Sequence, residues 1–232
     1  MEDGSDHMTG NIVNTLAILI GGVLGLAFKS KISDRFSNIM VEALGIAIMV
    51  YGISQGITTN NPLILFTSIA AGALIGEIID IEKKLNDLGE FFQNRMKNAT
   101  GVTQGFVTAS LLFCVGAMAI MGGLQGGLQN QHDILFAKAF LDGIMSIIFA
   151  SALGVGVLLS AGSVFAYQGL IVLLSGFLKP FLAAGVVVEM TAVGGVLIFA
   201  IGINMLKIKH LKLGNMLPAV FIPILINLFY AL

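Results

Sequence analysis

The sequence predicts an all-α polytopic membrane protein with about eight transmembrane helices, and three observations carry that expectation. Hydrophobic residues make up 56% of the chain and charged residues only 11%, where a soluble domain carries about 25% charged residues. Mean hydropathy is +0.95. The apolar residues also gather into long runs, each near the roughly 20 residues a helix needs to cross hydrocarbon. A lone apolar segment in lipid must satisfy its own backbone hydrogen bonds, so each span is expected to be helical.

Residues 1–8, MEDGSDHM, read as a vector-derived tag, and residues 9–232 as a single integral-membrane domain. Setting aside Glu2, Asp3 and Asp6 leaves 10 acidic residues against 12 basic, a net charge of +2. So small a balance gives no reason to expect nucleic acid as a partner. Cys114 is the single cysteine, which excludes a disulfide framework and a thiolate metal site. No cofactor is expected. The first span is expected to act as its own insertion signal.

The expected spans are Ile12–Phe28, Ile39–Ile57, Pro62–Ile79, Phe106–Gly123, Leu135–Leu159, Ser163–Leu178, Val186–Met205 and Met216–Leu232. The sixth is short, because Lys179-Pro180 cuts it off from the apolar residues that follow. A seven-span alternative, with residues 163–186 broken or re-entrant, therefore stays open. Pro218 and Pro223 are expected to kink the last span, with Asn215 and Asn227 nearby as hydrogen-bonding groups.

Orientation follows from the basic residues. Lys29, Lys31 and Arg35 fall in the first loop, Lys83, Lys84, Arg95 and Lys97 in the third, and Lys207, Lys209 and Lys212 in the seventh. Placing those loops in the cytoplasm leaves only Lys138 and Lys179 outside, the positive-inside pattern, with both termini outside. The third loop, 80–103, sets Leu85, Leu88, Phe92 and Met96 at helical spacing opposite Lys83, Lys84, Asp87 and Glu90. That is an amphipathic helix lying on the inner membrane surface. It reads first as a solvated connector and secondly as a regulatory or partner-binding surface.

Glycine patterning has two readings. Gly45–Ile53 (GIAIMVYGI) matches Gly195–Ile203 (GVLIFAIGI), and in the topology above the two run in opposite directions, as an inverted repeat requires. With 29 glycines in the chain, however, such spacings also arise by chance. The plainer reading is close helix packing through small residues four apart, as at Gly21/Gly25 and Gly72/Gly76. Such faces suit a homodimer as readily as a monomer.

Polar residues within the apolar runs are the candidate ion or substrate ligands. An aspartate near the middle of a spanning helix costs about 2.5–3.5 kcal/mol on insertion scales, so it is usually kept for a reason. Asp142, Ser146, Ala150 and Gly154 follow at four-residue intervals and so share one face of the fifth span. Glu189 and Asn14 fall toward the same, outer side, and Glu77, Gln168 and Asn204 toward the inner side. A carboxylate without a buried basic partner favours a cation or proton over an anion. Lys138, one turn before Asp142, is the competitor that could turn this carboxylate into an interfacial anchor.

Other patterns carry nothing. Gly52-Ile53-Ser54-Gln55-Gly56 fits a nucleophile elbow but has no preceding strand and no buried histidine as a base. The Asn98-Ala99-Thr100 sequon falls on the cytoplasmic side, and His132-Asp133 is too sparse for a metal site. The chain is not expected to be an enzyme.

The segments IVNTLAILIGGVLG, IGEIIDIEKKLNDLG, FVTASLLFCVGAMAIMGGL, LDGIMSIIFASALGVGVLLSA, YQGLIVLL and VEMTAVGGVLIFAIGINML together resemble the YqgA/YdfK-like family of bacterial inner-membrane proteins. The resemblance covers nearly the whole chain from Met8. It implies a multi-pass location in the bacterial plasma membrane and assigns no residue a role. The expected function is a membrane transporter or channel for a cation or a proton-coupled small solute, with Asp142 as the intramembrane carboxylate. The expected partners are then the lipid bilayer and that small ion or solute. The alternative is a non-transporting scaffold or sensor acting through the amphipathic helix.

Overall fold

A computed structural model describes residues 6–29, 34–87 and 102–230. A short 3-10 turn, Asp6–Met8, leads into α1 (Thr9–Lys29), followed by α2 (Asp34–Gly56) and α3 (Pro62–Ile79). Then come α4 (Val102–Cys114), α5 (Ala117–Gln129), α6 (Asp133–Leu153), α7 (Gly156–Leu173) and the single turn α8 (Ser175–Leu178). α9 (Ala184–Met205), a 3-10 helix (Gly214–Phe221) and α10 (Ile222–Tyr230) complete the chain. Among the described residues there is no strand, in keeping with an all-α membrane protein.

The number of spans is lower than the expected seven or eight. Among the described residues, five helices are long and apolar enough to cross a membrane: α1, α3, α6, α7 and α9. The bent pair α4–α5 makes a sixth if it counts as one span. Two expected spans fall short because their ends are not regular apolar helix. The apolar part of α2 is only Val41–Gly56, after a polar start at Asp34-Arg35. The last run is a 3-10 helix through Pro218 before α10 begins; proline lacks the N–H that an α-helix would use there.

Two more boundaries move. The expected fifth span, Leu135–Leu159, ends at Leu153 because Gly154 takes φ 87°, a conformation that favours glycine. The chain turns there, and α7 starts seven residues before the expected sixth span, reaching a full 18 residues. Residues 163–178 are thus mostly continuous helix; the irregular part is confined to the residues around α8 and Lys179. The expected fourth span is instead bent by 59° between α4 and α5, at Gly116 with φ 150°. Of the amphipathic stretch 80–103, residues 81–87 are helical, and residues 102 and 103 already belong to α4. Leu88, Glu90, Phe92 and Met96 lie outside the described residues.

The described helices fall into two compact units. In the first, α1 lies along α6, and α7 packs on α1, α4 and α5. A Cβ on Gly21 or Gly25 would collide with the backbone carbonyl of Gly143 or Ile147, so both glycines are needed for this close approach. Ile18, Leu135, Phe149, Val157 and Val164 form its core. In the second unit α2 lies along α9 and α3 along the 3-10 helix. Here Gly52 meets Gly195 and Phe199, Gly202 meets Gly45, and Gly72 and Gly76 meet Ala219 and Asn215. The two matched glycine segments thus pack on each other, as the close-packing reading expects. Large apolar side chains such as Ile20, Ile46, Phe66, Ile78 and Phe140 point outward, an arrangement suited to lipid and costly in water.

Candidate functional site

In the first unit three helices bring polar side chains to one buried place. α6 supplies Lys138 and Asp142, one turn apart on one face, and they form an ion pair. α1 supplies Asn14, whose Nδ2 donates to Asp142 Oδ2 at 3.1 Å and to Gln168 Oε1 of α7 at 3.1 Å. Asn11, one turn before Asn14, donates to the Phe165 carbonyl at 3.0 Å, again on α7. Ser146 lies one turn beyond Asp142 and donates to the Ile18 carbonyl at 2.8 Å. Asn11, Asn14, Ser146 and Gln168 have no exposure at all.

Burial leaves some of these groups unmatched. Asn11 Oδ1, Asn14 Oδ1 and Gln168 Nε2 have no hydrogen-bond partner among the described residues. Each such atom costs about 1–3 kcal/mol relative to a satisfied one. The side chains of Lys138 and Asp142 retain 7% and 10% exposure, so the ion pair is the least buried part of the cluster. The Lys138 ammonium also stands 5.9 Å from the centre of the Phe113 ring, within cation–π range. Phe113 is next to last in α4, so the ion pair sits beside the break between α4 and α5. By helix rise, Asn14, Asp142 and Gln168 lie roughly 8 to 14 Å in from the Thr9, Asp133 and Leu173 ends of their helices.

This geometry revises one sequence expectation. Gln168 does not lie on a side opposite to Asp142 and Asn14; it is joined to Asn14 directly. The turn at Gly154 sends α7 back antiparallel to α6 and brings Gln168 to the level of Asp142. Lys138 and Asn11 were not among the expected ligands. The signal for Asn11 was its three-residue spacing from Asn14, which puts both on one helix face. For Lys138 it was the four-residue spacing from Asp142.

The other expected residues lie in the second unit, in three separate places. Glu189 of α9 is 5% exposed and holds the turn between α2 and α3. It accepts from the Thr59 hydroxyl at 2.6 Å, the Asn60 N–H at 2.7 Å and the Asn61 N–H at 3.1 Å. Asn61 then caps α3 by accepting from the Leu63 N–H. A cleft of about 670 Å³ opens beside Glu189, with Asn60, Asn61, Ile64, Val186 and Asn227 in its lining. Asn204 exchanges two hydrogen bonds of 2.8 Å with the backbone of Leu211, closing the chain reversal after α9.

Glu77 accepts from Lys212 Nζ and Asn215 Nδ2, both at 2.6 Å. Asn215 Oδ1 in turn accepts from the Glu82 N–H, and Glu82 from the Gly214 N–H. This network ties the end of α3 to the start of the 3-10 helix. The Glu77 carboxylate holds the Lys212 ammonium above the usual lysine range. Among the described residues no group of three or more His, Cys, Asp or Glu side chains is placed to hold a metal ion.

Comparison with known proteins agrees with a membrane-embedded helical chain. The chain is 35% identical over 221 residues to the uncharacterized membrane protein YdfK of Bacillus subtilis (strain 168), covering 93% of this chain and 94% of that protein. It is 30% identical over 219 residues to the uncharacterized protein YqgA of Escherichia coli (strain K12), covering 92% and 93%. No solved structure matches. A family described as "Protein of unknown function (DUF554)" matches residues 9–228, and the chain belongs to that family.

Proposed function

We propose that this membrane protein is a transporter or channel for a cation or a proton-coupled small solute, working in a bacterial plasma membrane. One observation carries the reading: a buried ion pair, Lys138–Asp142, linked through Asn14 to Gln168 inside three apolar helices. A buried ion pair is weak evidence for stability, since its desolvation penalty can exceed its Coulombic gain. Ionisable groups within spanning helices mark ion and proton routes by default. Asp142 is the ion- or proton-binding group, with Lys138 its counter-charge. Asn14 and Gln168 complete the site, and Ser146 fixes α6 against α1. The broken helix beside the pair supports the same reading, because discontinuous helices commonly form ion sites in transporters. Glu189, Glu77 and Asn204 act as clamps on turns.

Reconstitution into liposomes carrying an internal pH dye, with a panel of cations outside, tests the proposal. The parent is expected to show flux and Asp142→Asn to lose most of it. Equal flux from both proteins would remove Asp142 from the mechanism; no flux with any solute would defeat the transport reading.

A further inference from the structure

We infer that the coupling ion is a proton taken up by Asp142, with Lys138 permanently holding the place a metal cation would need. This rests on the transport reading above and narrows it to one ion. The argument is geometric. Lys138 Nζ and Asn14 Nδ2 both donate to the same carboxylate oxygen, Asp142 Oδ2. A metal ion on that oxygen would stand against an ammonium group a few ångströms away in a medium where charges are poorly screened. A proton needs no such room. It converts the carboxylate to a carboxyl group, which keeps a hydrogen-bonding oxygen for Asn14 and loses the charge that holds Lys138.

The atoms balance simply. One proton from solution forms the O–H bond on Asp142, the ion pair gives way to an ammonium beside a neutral acid, and the site gains one positive charge. Loss of that proton restores the pair. Of the cluster, Lys138 and Asp142 keep some exposure while Asn14 and Gln168 keep none, so a proton would reach the site from the ion-pair side.

Among the described residues of this unit, no second carboxylate faces the pair from the helices packed on α6. The helices packed on α6 are α1, α4, α5 and α7. α1 carries only Lys29, at its far end. α4 carries Cys114 and α7 carries Tyr167, while α5 has no ionisable side chain. On α6 itself the remaining charge is Asp133, at the first position. Among the described residues, Asp142 is therefore the carboxylic acid set within a span in this neighbourhood.

Infrared titration of the purified full-length protein tests this, with sodium, potassium or calcium added in turn. The carbonyl band of a protonated carboxyl is expected to grow as pH falls and to be missing in Asp142→Asn. Its midpoint in the parent should be the same with each cation. In Lys138→Met the midpoint should differ from the parent's, because the carboxylate loses its counter-charge. That variant's midpoint should also become sensitive to added cation. A parent midpoint that falls as a metal cation is raised would overturn the inference, as would an Asp142 band that never titrates. Flux measured on the same preparation separates the two proposals. A titrating band without flux supports the proton site and defeats only the transport reading, whereas flux that follows sodium or potassium without pH change defeats the proton site alone.

Discussion

Asn14 and Gln168 stand 154 positions apart, yet the amide nitrogen of the first donates to the amide oxygen of the second at 3.1 Å, both side chains fully buried. The same nitrogen also reaches Asp142. Asn14 is thus the joint between α1, α6 and α7, and one amide group sets the register of three helices.

Removing that joint has a calculable effect. Asn14→Ala deletes both hydrogen bonds and leaves Asp142 and Gln168 short of a donor, so a loss of about 1–3 kcal/mol is expected. Asn14→Asp should be worse, because a second carboxylate would face Asp142. Melting curves read with a thiol-reactive dye would compare them, since Cys114 is the single cysteine. An Asn14→Ala protein that melts with the parent would show that the amide is not a structural joint.

The ion pair separates stability from function. Lys138→Met leaves the Asp142 carboxylate buried without its partner and should cost about 3–5 kcal/mol. The double variant Lys138→Met/Asp142→Leu removes both charges and should recover most of that loss, yet show no flux. A double variant that transports like the parent would show the pair to be dispensable.

Glycine substitutions should sort by what stands in front of them. Gly21→Ala and Gly25→Ala drive a methyl into backbone carbonyls of α6, a clash expected to cost about 1–3 kcal/mol. Gly76→Ala meets the backbone of Asn215 in the same way. Gly162→Ala, mid-helix in α7 with nothing within 4 Å, should instead stabilise by up to about 1 kcal/mol through helix propensity. Melting temperatures of these four variants in one detergent give the ordering directly; Gly21→Ala melting above Gly162→Ala would refute the packing described.

Glu189 should behave as a clamp. Glu189→Ala strands the Asn60 and Asn61 N–H groups and should destabilise by about 1–3 kcal/mol. Glu189→Gln keeps one carbonyl acceptor and should lose less. Flux normalised to folded protein should stay within a factor of a few for Glu189→Gln. A fall as deep as that of Asp142→Asn would instead place Glu189 on the ion route.

Much of this was legible in the sequence because it depends on local spacing. The four-residue interval from Lys138 to Asp142 gave the ion pair, and the small-residue intervals gave the close helix pairs. What failed depends on where an apolar chain turns. Gly154-Val155-Gly156 has the same apolar character as the helices on either side, so hydropathy runs through it without a mark. One unmarked turn moved the α6–α7 boundary and, with it, the level of Gln168. The bend at Gly116 was hidden for the same reason, since glycine in an apolar run serves packing and bending alike.

That bend has a mechanical consequence. Gly105 of α4 rests on the start of α7, near Leu153 and Gly156, while Gly123 and Gly127 of α5 rest on its end and on the first residue of α8, near Ile171, Val172 and Ser175. The two arms are interrupted, but the rod they lean on is not. α7 is therefore a splint: it carries the stiffness that the bent pair lacks and leaves the hinge at Val115-Gly116 as the weak point beside Lys138.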